Sequence, residues 1–174
     1  MKWFMLLSFF MFPWLASAQK ASDSTDVVVD SLSVTAFELD SMISYAENFI
    51  GCRYGYGSCG PKTFDCSGFV QHVYGKYGVQ LPHTSGGIAE MCDEVKLKKV
   101  KPGDLLFFAG RKVSKKHIGH VSIVHSVEDD KITMIHATVQ GGVMKEVLSD
   151  SEYFTKRFIR AGRLDKHVFS DKGK

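Results

Sequence analysis

Apolar residues in the first half of the chain recur with the 3.6-residue period of an α-helix in three places. The first run, residues 35–50, opens with the Thr-x-x-Glu pattern of a capping box and ends before a glycine. The second follows Asp65, a favoured N-cap residue, and predicts a helix over residues 66–77 with a glycine just past its end. The third is short, at residues 85–91. The pattern therefore predicts a helical first half.

After residue 102 the pattern changes to short apolar runs of the kind that form buried strands. Strands are predicted at residues 105–109, 119–127, 132–137, 143–148 and 157–164. Only Glu128, Asp129 and Asp130 separate the second strand from the third, which is short enough for a hairpin. Helices followed by antiparallel strands predict an α+β fold, with the N-terminal helices packed on a central antiparallel β-sheet.

The two ends of the chain differ in character from this middle part. Residues 1–18 combine a lysine, an apolar run and a final Ala-Ser-Ala, which is typical of a secretory signal peptide cleaved after Ala18. Residues 19–34 are polar and favour a flexible lead-in, residues 35–165 form the predicted folded domain, and residues 166–174 form a polar tail. We therefore expect an exported protein, periplasmic or secreted, with no membrane span in the mature chain.

Composition adds limits on size and partners. The 174 residues suffice for one domain with a core but not for two ordinary ones. Hydrophobic residues make up 44% and charged residues 24%, as in most globular proteins. The net charge of +3 is mild and no dense basic run is coupled to aromatic residues, so nucleic-acid binding has little support. We expect a monomer.

Four cysteines bear on both structure and chemistry. Export permits disulfides, and if Cys66 stays free, then Cys52, Cys59 and Cys92 allow at most one bridge. The sequence does not choose among the three pairings. Structural zinc is disfavoured, since no Cys-x-x-Cys or His-x-x-x-His pair is present. We expect neither a metal nor another cofactor.

Cys66 directly follows the predicted N-cap of the second helix. Unpaired backbone N–H groups and the positive end of the helix macrodipole lie at such a position. Both favour the thiolate, the reactive form of cysteine, so we expect a thiolate nucleophile. The alternative interpretation is a buried structural cysteine or half of a disulfide.

A cysteine nucleophile needs a base within reach, and that base needs an orienting group. Among seven histidines, His120 and His136 each lie at or near the end of a predicted strand, and a hairpin joins the two strands. The others lie on a polar helix face, in loops, in the tail or at the opposite strand parity: His72, His83, His117, His167 and His125. Of these, His72 is expected at the surface.

The hairpin register decides whether the two imidazoles meet. Pairing residue 127 with residue 131 across a three-residue loop puts Ser122 opposite His136 and His120 diagonally beside it on the same face. A two-residue loop would put the two rings on opposite faces. The site therefore requires the longer loop or a β-bulge.

These residue types support acyl transfer. Cys66 would attack an amide carbonyl as a thiolate, and His120 would take the thiol proton and deliver it to the leaving amine. His136 would hold His120 in the useful tautomer, although an uncharged partner stabilises an imidazolium less than a carboxylate does. The backbone N–H of Cys66 and the Tyr54 hydroxyl are candidates for binding the oxyanion.

Six motifs stand in an order that resembles one family: Arg53-Tyr54-Gly55-Tyr56-Gly57, Phe64-Asp65-Cys66-Ser67-Gly68-Phe69-Val70, Leu81-Pro82-His83-Thr84-Ser85, Pro102-Gly103-Asp104-Leu105-Leu106-Phe107-Phe108, Gly119-His120-Val121-Ser122-Ile123-Val124 and Ile135-His136-Ala137. In this combination the chain resembles the NlpC/P60 cysteine peptidases, papain-like hydrolases of the cell wall. The resemblance covers about residues 37–164.

The resemblance implies a papain-like fold, a triad of Cys66, His120 and His136, and an active-site tyrosine at Tyr54. It also implies a substrate. Family members cut peptidoglycan stem peptides, typically between γ-D-glutamate and a diamino acid such as meso-diaminopimelate. In members that require a free N-terminal L-Ala, the positions matching Tyr54, Asp65 and Ser67 help to hold that amine.

Three positions depart from the usual family pattern: Ser58 replaces a glycine, His83 replaces an arginine, and Ile88 stands where a glutamine is common. These positions flank the substrate groove, so they bear on specificity more than on catalysis. Tyr56 and His83 are counted among the substrate-binding candidates. The same scaffold would also suit an amidase, a transpeptidase or a non-enzymatic wall-binding module, and the intact triad argues against the last.

Overall fold

The computed structural model describes residues 38–111, 113–114 and 116–164. The predicted signal peptide, lead-in and polar tail lie outside the described residues, as does the threonine of the predicted capping box. Within the described part of the chain, no helix has the length and apolar character needed to cross a membrane.

The three predicted helices are present. The first, α1, is described over residues 38–47. Helix α2 spans Cys66–Lys76 and α3 spans Ser85–Glu90. Asp65 caps α2 by accepting a hydrogen bond from the backbone N–H of Gly68, so the predicted start of this helix is confirmed.

The strands divide into a small and a large sheet. Strands β1 (Arg53–Tyr54) and β2 (Thr63–Phe64) form a parallel pair in the loop before α2. The large sheet has the order β3-β8-β4-β5-β6-β7 and is antiparallel throughout. Its strands are β3 (Cys92–Val95), β4 (Leu105–Ala109), β5 (Ile118–Glu128), β6 (Lys131–Thr138), β7 (Gly142–Val147) and β8 (Phe158–Leu164). The predicted α+β class is confirmed.

The large sheet is covered on both faces. Helices α1, α2 and α3 pack on one face through alternate sheet residues such as Phe107 and Val121. The other face, lined by residues such as Leu106 and Phe108, is covered by a short helix, α4 (Glu152–Arg157). The alternation along β4 places neighbouring residues in different cores, which is why this strand is buried throughout.

The sequence pattern does not predict β1, β2, β3 and α4, because none of them carries a long periodic signal. Strands β1 and β2 have two residues each, and β3 is an edge strand with two exposed acidic residues. Helix α4 has six residues, of which only Phe154 is buried. The expected surface position of His72 is also wrong. Its Nε2 lies 3.1 Å from the Tyr45 hydroxyl oxygen, and its ring packs edge-to-face on Phe49, because α1 covers that side of α2.

The β5–β6 hairpin has a two-residue turn rather than a three-residue loop, because Glu128 pairs with Lys131. The turn residues Asp129 and Asp130 have φ angles of 48° and 61°. Left-handed φ at both central positions is the geometry of a type I′ turn, which matches the twist of the strands it joins. Without another irregularity, this turn would put the two candidate histidines on opposite faces.

A β-bulge around His125 corrects the register. The pairing slips by one residue there, so that Ile123 pairs with Ile135 rather than with His136. Strand β5 thereby turns His120 to the same face of the sheet as His136. Of the two possibilities, a longer loop or a β-bulge, the chain adopts the bulge.

Candidate active site

The loop before α2 is anchored to the helix start by one carboxylate. Asp65 Oδ1 accepts hydrogen bonds from the Gly68 N–H at 2.7 Å and the Ser67 hydroxyl at 3.0 Å. Asp65 Oδ2 accepts one from the Gly57 N–H at 2.9 Å and lies 3.0 Å from His83 Nε2. Since an ionised carboxylate has about four acceptor positions, these partners use its full capacity.

Close packing at Gly68 holds the same loop against the first turn of α2. A Cβ atom at this position would lie 2.2 Å from the Ser58 carbonyl oxygen and 2.8 Å from the Cys59 Cα. Both distances are far inside van der Waals contact with backbone atoms, so only glycine fits. The glycine after the Asp-Cys-Ser motif therefore fixes where the loop before α2 passes the thiol.

Cys66 lies in the first turn of α2, half-buried and unpaired. Burial raises the pKa of the Cys66 thiol above its usual value of 9.0, and the nearby Asp65 acts in the same direction. The backbone groups of Val121, Ser67 and Cys66 near the sulfur lower the pKa and oppose this effect. Burial outweighs them, so the expectation of a resting thiolate is wrong and the resting group is the thiol.

The contact with Val121 shows where the thiol sits relative to the sheet. Strands β5 and β6 are paired from Ile123 and Ile135 onward, and Val121 lies beyond the end of that paired segment. Its backbone lies close enough to the Cys66 sulfur to lower the pKa of the thiol. Since Val121 directly follows His120 in the chain, the start of α2 meets the sheet at the end of β5 that carries this histidine.

His120 and His136 form a hydrogen bond, with 2.9 Å between His120 Nε2 and His136 Nδ1. Phe154 of α4 covers both rings, at centroid distances of 5.2 and 4.8 Å, and Phe108 packs on His120. Burial lowers the pKa of both imidazoles well below the usual value of 6.5, and the neighbouring His136 lowers that of His120 further. Both rings are therefore neutral at rest, and His120 is a base whose Nδ1 is not used by His136.

Behind this pair lies a carboxylate that the sequence pattern did not reveal. Glu146 Oε2 on β7 lies 3.3 Å from His136 Nε2. The pairing of β6 with β7 puts Glu146 opposite Met134, diagonally beside His136 on the same face. A glutamate in an alternating strand carries no signal of its own, so only the register reveals it.

The other predicted site residues are Tyr54, Tyr56, Ser67 and His83. Tyr54 is half-buried, and its pKa is raised by burial and by the charges of Cys66, Asp65 and Tyr56, so it stays a phenol and a hydrogen-bond donor. Tyr56 points into solvent, with 95% of its surface exposed. Ser67 and His83 are both engaged with Asp65.

The remaining cysteines do not pair. All four cysteines of the chain lie in the described part, and each is a free thiol: Cys52, Cys59, Cys66 and Cys92. Over residues 38–111, 113–114 and 116–164, no group of three or more His, Cys, Asp and Glu side chains is arranged to hold a metal ion. A free thiol at the start of α2, with an imidazole pair and a carboxylate on the strands of the adjoining sheet, supplies the residue types that nucleophilic catalysis needs.

Comparison with known proteins gives the family. A model of the NlpC/P60 family matches residues 51–163. This match lies within the predicted domain of residues 35–165 and contains the thiol and both imidazoles of the pair. The chain belongs to the NlpC/P60 family.

Curated relatives include endopeptidases. A probable endopeptidase p60 of Listeria innocua is 43% identical over 68 residues, which are 39% of this chain and 15% of the relative. The gamma-DL-glutamyl hydrolase of Bacillus subtilis is 32% identical over 124 residues, or 71% of this chain and 29% of that protein. A probable endopeptidase NlpC of Escherichia coli is 31% identical over 150 residues, or 85% and 90% of the two chains. The chain thus spans a small part of the Listeria and Bacillus relatives and most of the Escherichia one.

Solved structures share the fold. An NlpC/P60 family protein from Bacillus cereus superposes with a TM-score of 0.64 at 27% identity, over 72% of this chain and 39% of that one. A lipoprotein-like member of the family from Staphylococcus aureus gives a TM-score of 0.62 at 29% identity, over 73% and 41% of the two chains. The expected NlpC/P60 fold is confirmed.

Proposed function

We propose that the protein is an exported cysteine endopeptidase that hydrolyses peptidoglycan stem peptides through a thioacyl-enzyme. The observation that carries this proposal is the thiol at the start of α2 together with the His120–His136 hydrogen bond on the adjoining sheet. The family and its endopeptidase members support the hydrolase class. Export rests on the signal-peptide pattern of residues 1–18, and N-terminal sequencing of the mature protein should find Gln19 first.

In the proposed first step, His120 Nδ1 takes the proton of the Cys66 thiol as the sulfur attacks the amide carbonyl. Because burial raises the pKa of the thiol and lowers that of the imidazole, proton transfer accompanies attack rather than preceding it. The His120 imidazolium then delivers its proton to the leaving amine. Water, activated by the same imidazole, releases the acyl group from sulfur.

The charge that develops on the carbonyl oxygen needs donors. We assign this role to the backbone N–H of Cys66 and to the Tyr54 hydroxyl. The pKa of Tyr54 is raised by its burial and by the nearby Cys66, so its proton is retained when it is needed for donation. Two donors of this kind would stabilise the tetrahedral intermediate.

For the bond that is cut, we propose the amide between γ-D-glutamate and a diamino acid, as the family resemblance implies. The name of the Bacillus subtilis relative, a gamma-DL-glutamyl hydrolase, supports a γ-glutamyl acyl group. Substrate contacts are assigned to Tyr54, Tyr56, Asp65, Ser67 and His83. Of these, Tyr56 is the most exposed, whereas Asp65 is saturated and would bind a substrate amine only by releasing His83.

Digestion of defined muropeptides tests this function. With L-Ala–γ-D-Glu–meso-diaminopimelate substrates, mass spectra should show L-Ala–γ-D-Glu and a fragment that begins with the diamino acid. A product cut at the sugar–peptide amide would indicate an amidase, and a new peptide bond would indicate a transpeptidase. Comparing substrates with a free and an N-acetylated L-Ala tests recognition of the amine: a preference of about 10-fold, or ~1.4 kcal/mol, for the free amine would show that the site binds it.

The pH dependence follows from the two perturbed groups. A base whose pKa is below 6.5 stays unprotonated to lower pH, and a thiol whose pKa is above 9.0 keeps its proton to higher pH. We expect kcat/KM to lose activity on the acid side only below pH 6.5 and on the alkaline side only above pH 9.0. Kinetics across this range, with circular dichroism to exclude unfolding, check the prediction; an acid limb above pH 6.5 would contradict it.

A further inference from the structure

The proposed mechanism leaves one buried polar atom without a role. His136 has a fully buried side chain, and its Nδ1 is taken by His120. Its second ring nitrogen, Nε2, has no partner in hydrogen-bond geometry among the described residues. A buried donor without an acceptor costs about 1–3 kcal/mol, so a nearby acceptor is expected.

Glu146 is placed to be that acceptor. Its Oε2 lies 3.3 Å from His136 Nε2, close enough for an ion pair but without the alignment of a hydrogen bond. The Glu146 side chain is 27% exposed, so it has room to rotate into alignment. The contact joins neighbouring strands in a diagonal position that the β6–β7 register holds fixed.

We propose that Glu146 is the fourth, positioning member of the catalytic array, acting on Cys66 through His136 and His120. This role rests on the proposed function, since it concerns the base of the same reaction. With its carboxylate as acceptor, Glu146 holds the His136 proton on Nε2. His136 Nδ1 then accepts from His120 Nε2–H, and His120 Nδ1 is left as a lone pair for the thiol.

Without the carboxylate, the two imidazoles could equally well adopt the opposite tautomers. His136 protonated on Nδ1 would donate to His120 Nε2, which moves the His120 proton to Nδ1, the nitrogen that must act as base. The triad would then be in the wrong tautomer at rest. Glu146 also supplies the negative charge that a His-His pair lacks, so it stabilises the imidazolium once the thiol proton has moved.

Other charged groups on elements packed around the pair have partners of their own, and among the described residues the carboxylate paired with His120 or His136 is Glu146. These other groups are Glu152 with Lys156 on α4, Arg157 with the Tyr153 ring on the same helix, and Lys145 on β7 with Glu47 on α1. Glu146 is therefore the carboxylate whose removal should act on the histidines alone.

The first test is a pH profile of Glu146→Gln, which removes the charge and keeps the size. We expect kcat/KM to fall about 10-fold, with both limbs of the profile displaced to lower pH. Both limbs move to lower pH because the loss of a negative charge lowers the pKa of the thiol and of the imidazole. Glu146→Asp should recover part of the activity. Glu128→Gln, an exposed glutamate at the end of β5, is the matched control and should leave the profile unchanged.

The second test needs no substrate. Nitrogen-15 shifts of the two imidazoles in the unliganded wild type should show His136 and His120 each protonated on Nε2. A wild-type His136 protonated on Nδ1, or a Glu146→Gln profile with unmoved limbs and activity within 2-fold of wild type, would overturn the role of Glu146. If the tautomers are as expected but no muropeptide is cut, the assigned substrate is wrong and the positioning role stands.

Discussion

Replacing Cys66 with alanine should lower kcat/KM by about 10⁴-fold or more, since loss of a nucleophile removes the covalent route entirely. The fold should survive, because the side chain is small, half-buried and outside any disulfide. Turnover of a muropeptide, with circular dichroism and a thermal midpoint for each protein, is the measurement. The residual rate would reflect only binding and oxyanion stabilisation.

The matched control is Cys92→Ala on the edge strand β3, where the thiol donates to the Ile88 carbonyl oxygen instead. This variant should keep wild-type turnover. A Cys66→Ala protein that retains even a tenth of the activity would show that the sulfur does not carry the acyl group. A loss shared equally by both variants would point to general thiol damage and against a specific nucleophile.

The second large effect is expected at His120. His120→Ala should lower kcat/KM by about 10³-fold, within the range of a positioned general base. His136→Ala should cost less, about 10²-fold, the upper size seen for outer partners that orient an imidazole. The difference arises because His120 exchanges the proton with sulfur, whereas His136 sets its tautomer. Steady-state kinetics of both variants at a pH on the plateau give the ratio.

Two further variants sharpen this comparison. His136→Asn offers a carbonyl oxygen to His120 Nε2–H and should recover part of the loss seen with alanine. His125→Gln changes another histidine of β5, whose Nε2 bonds Glu47 Oε1 at 2.8 Å, and should leave turnover near wild type. If His136→Ala were the more damaging of the two alanine variants, the assignment of base and orienting group would have to be exchanged.

Local sequence signals were enough to predict the helix and strands that carry the candidate site residues. The Asp65 cap, the helix behind it and the strands that carry His120 and His136 all occur where the pattern predicted them. The hairpin shows the limit of such signals. They left open whether a three-residue loop or a β-bulge brings the two imidazoles together, and the chain combines a two-residue turn with a bulge around His125.

What the sequence could not supply depends on contacts between distant segments. A thiol at a helix start is expected to ionise easily, but packing against β5 buries Cys66, and burial raises its pKa. Phe154 lies on a helix too short to predict, yet it covers both imidazoles. Glu146 can be recognised as a site residue only from its diagonal position beside His136. In each case tertiary packing, and not local propensity, decides the property.

The role of the Cys66 sulfur as nucleophile is tested most directly by following activity while Cys66 is alkylated. The protein would be treated with iodoacetamide for increasing times, with muropeptide turnover and the modified fraction of each cysteine peptide measured by mass spectrometry on the same samples. We expect activity to fall in proportion to modification at Cys66, substrate to slow both, and modification of Cys52, Cys59 or Cys92 to show no such relation. Full turnover by protein that is completely alkylated at Cys66 would contradict this role.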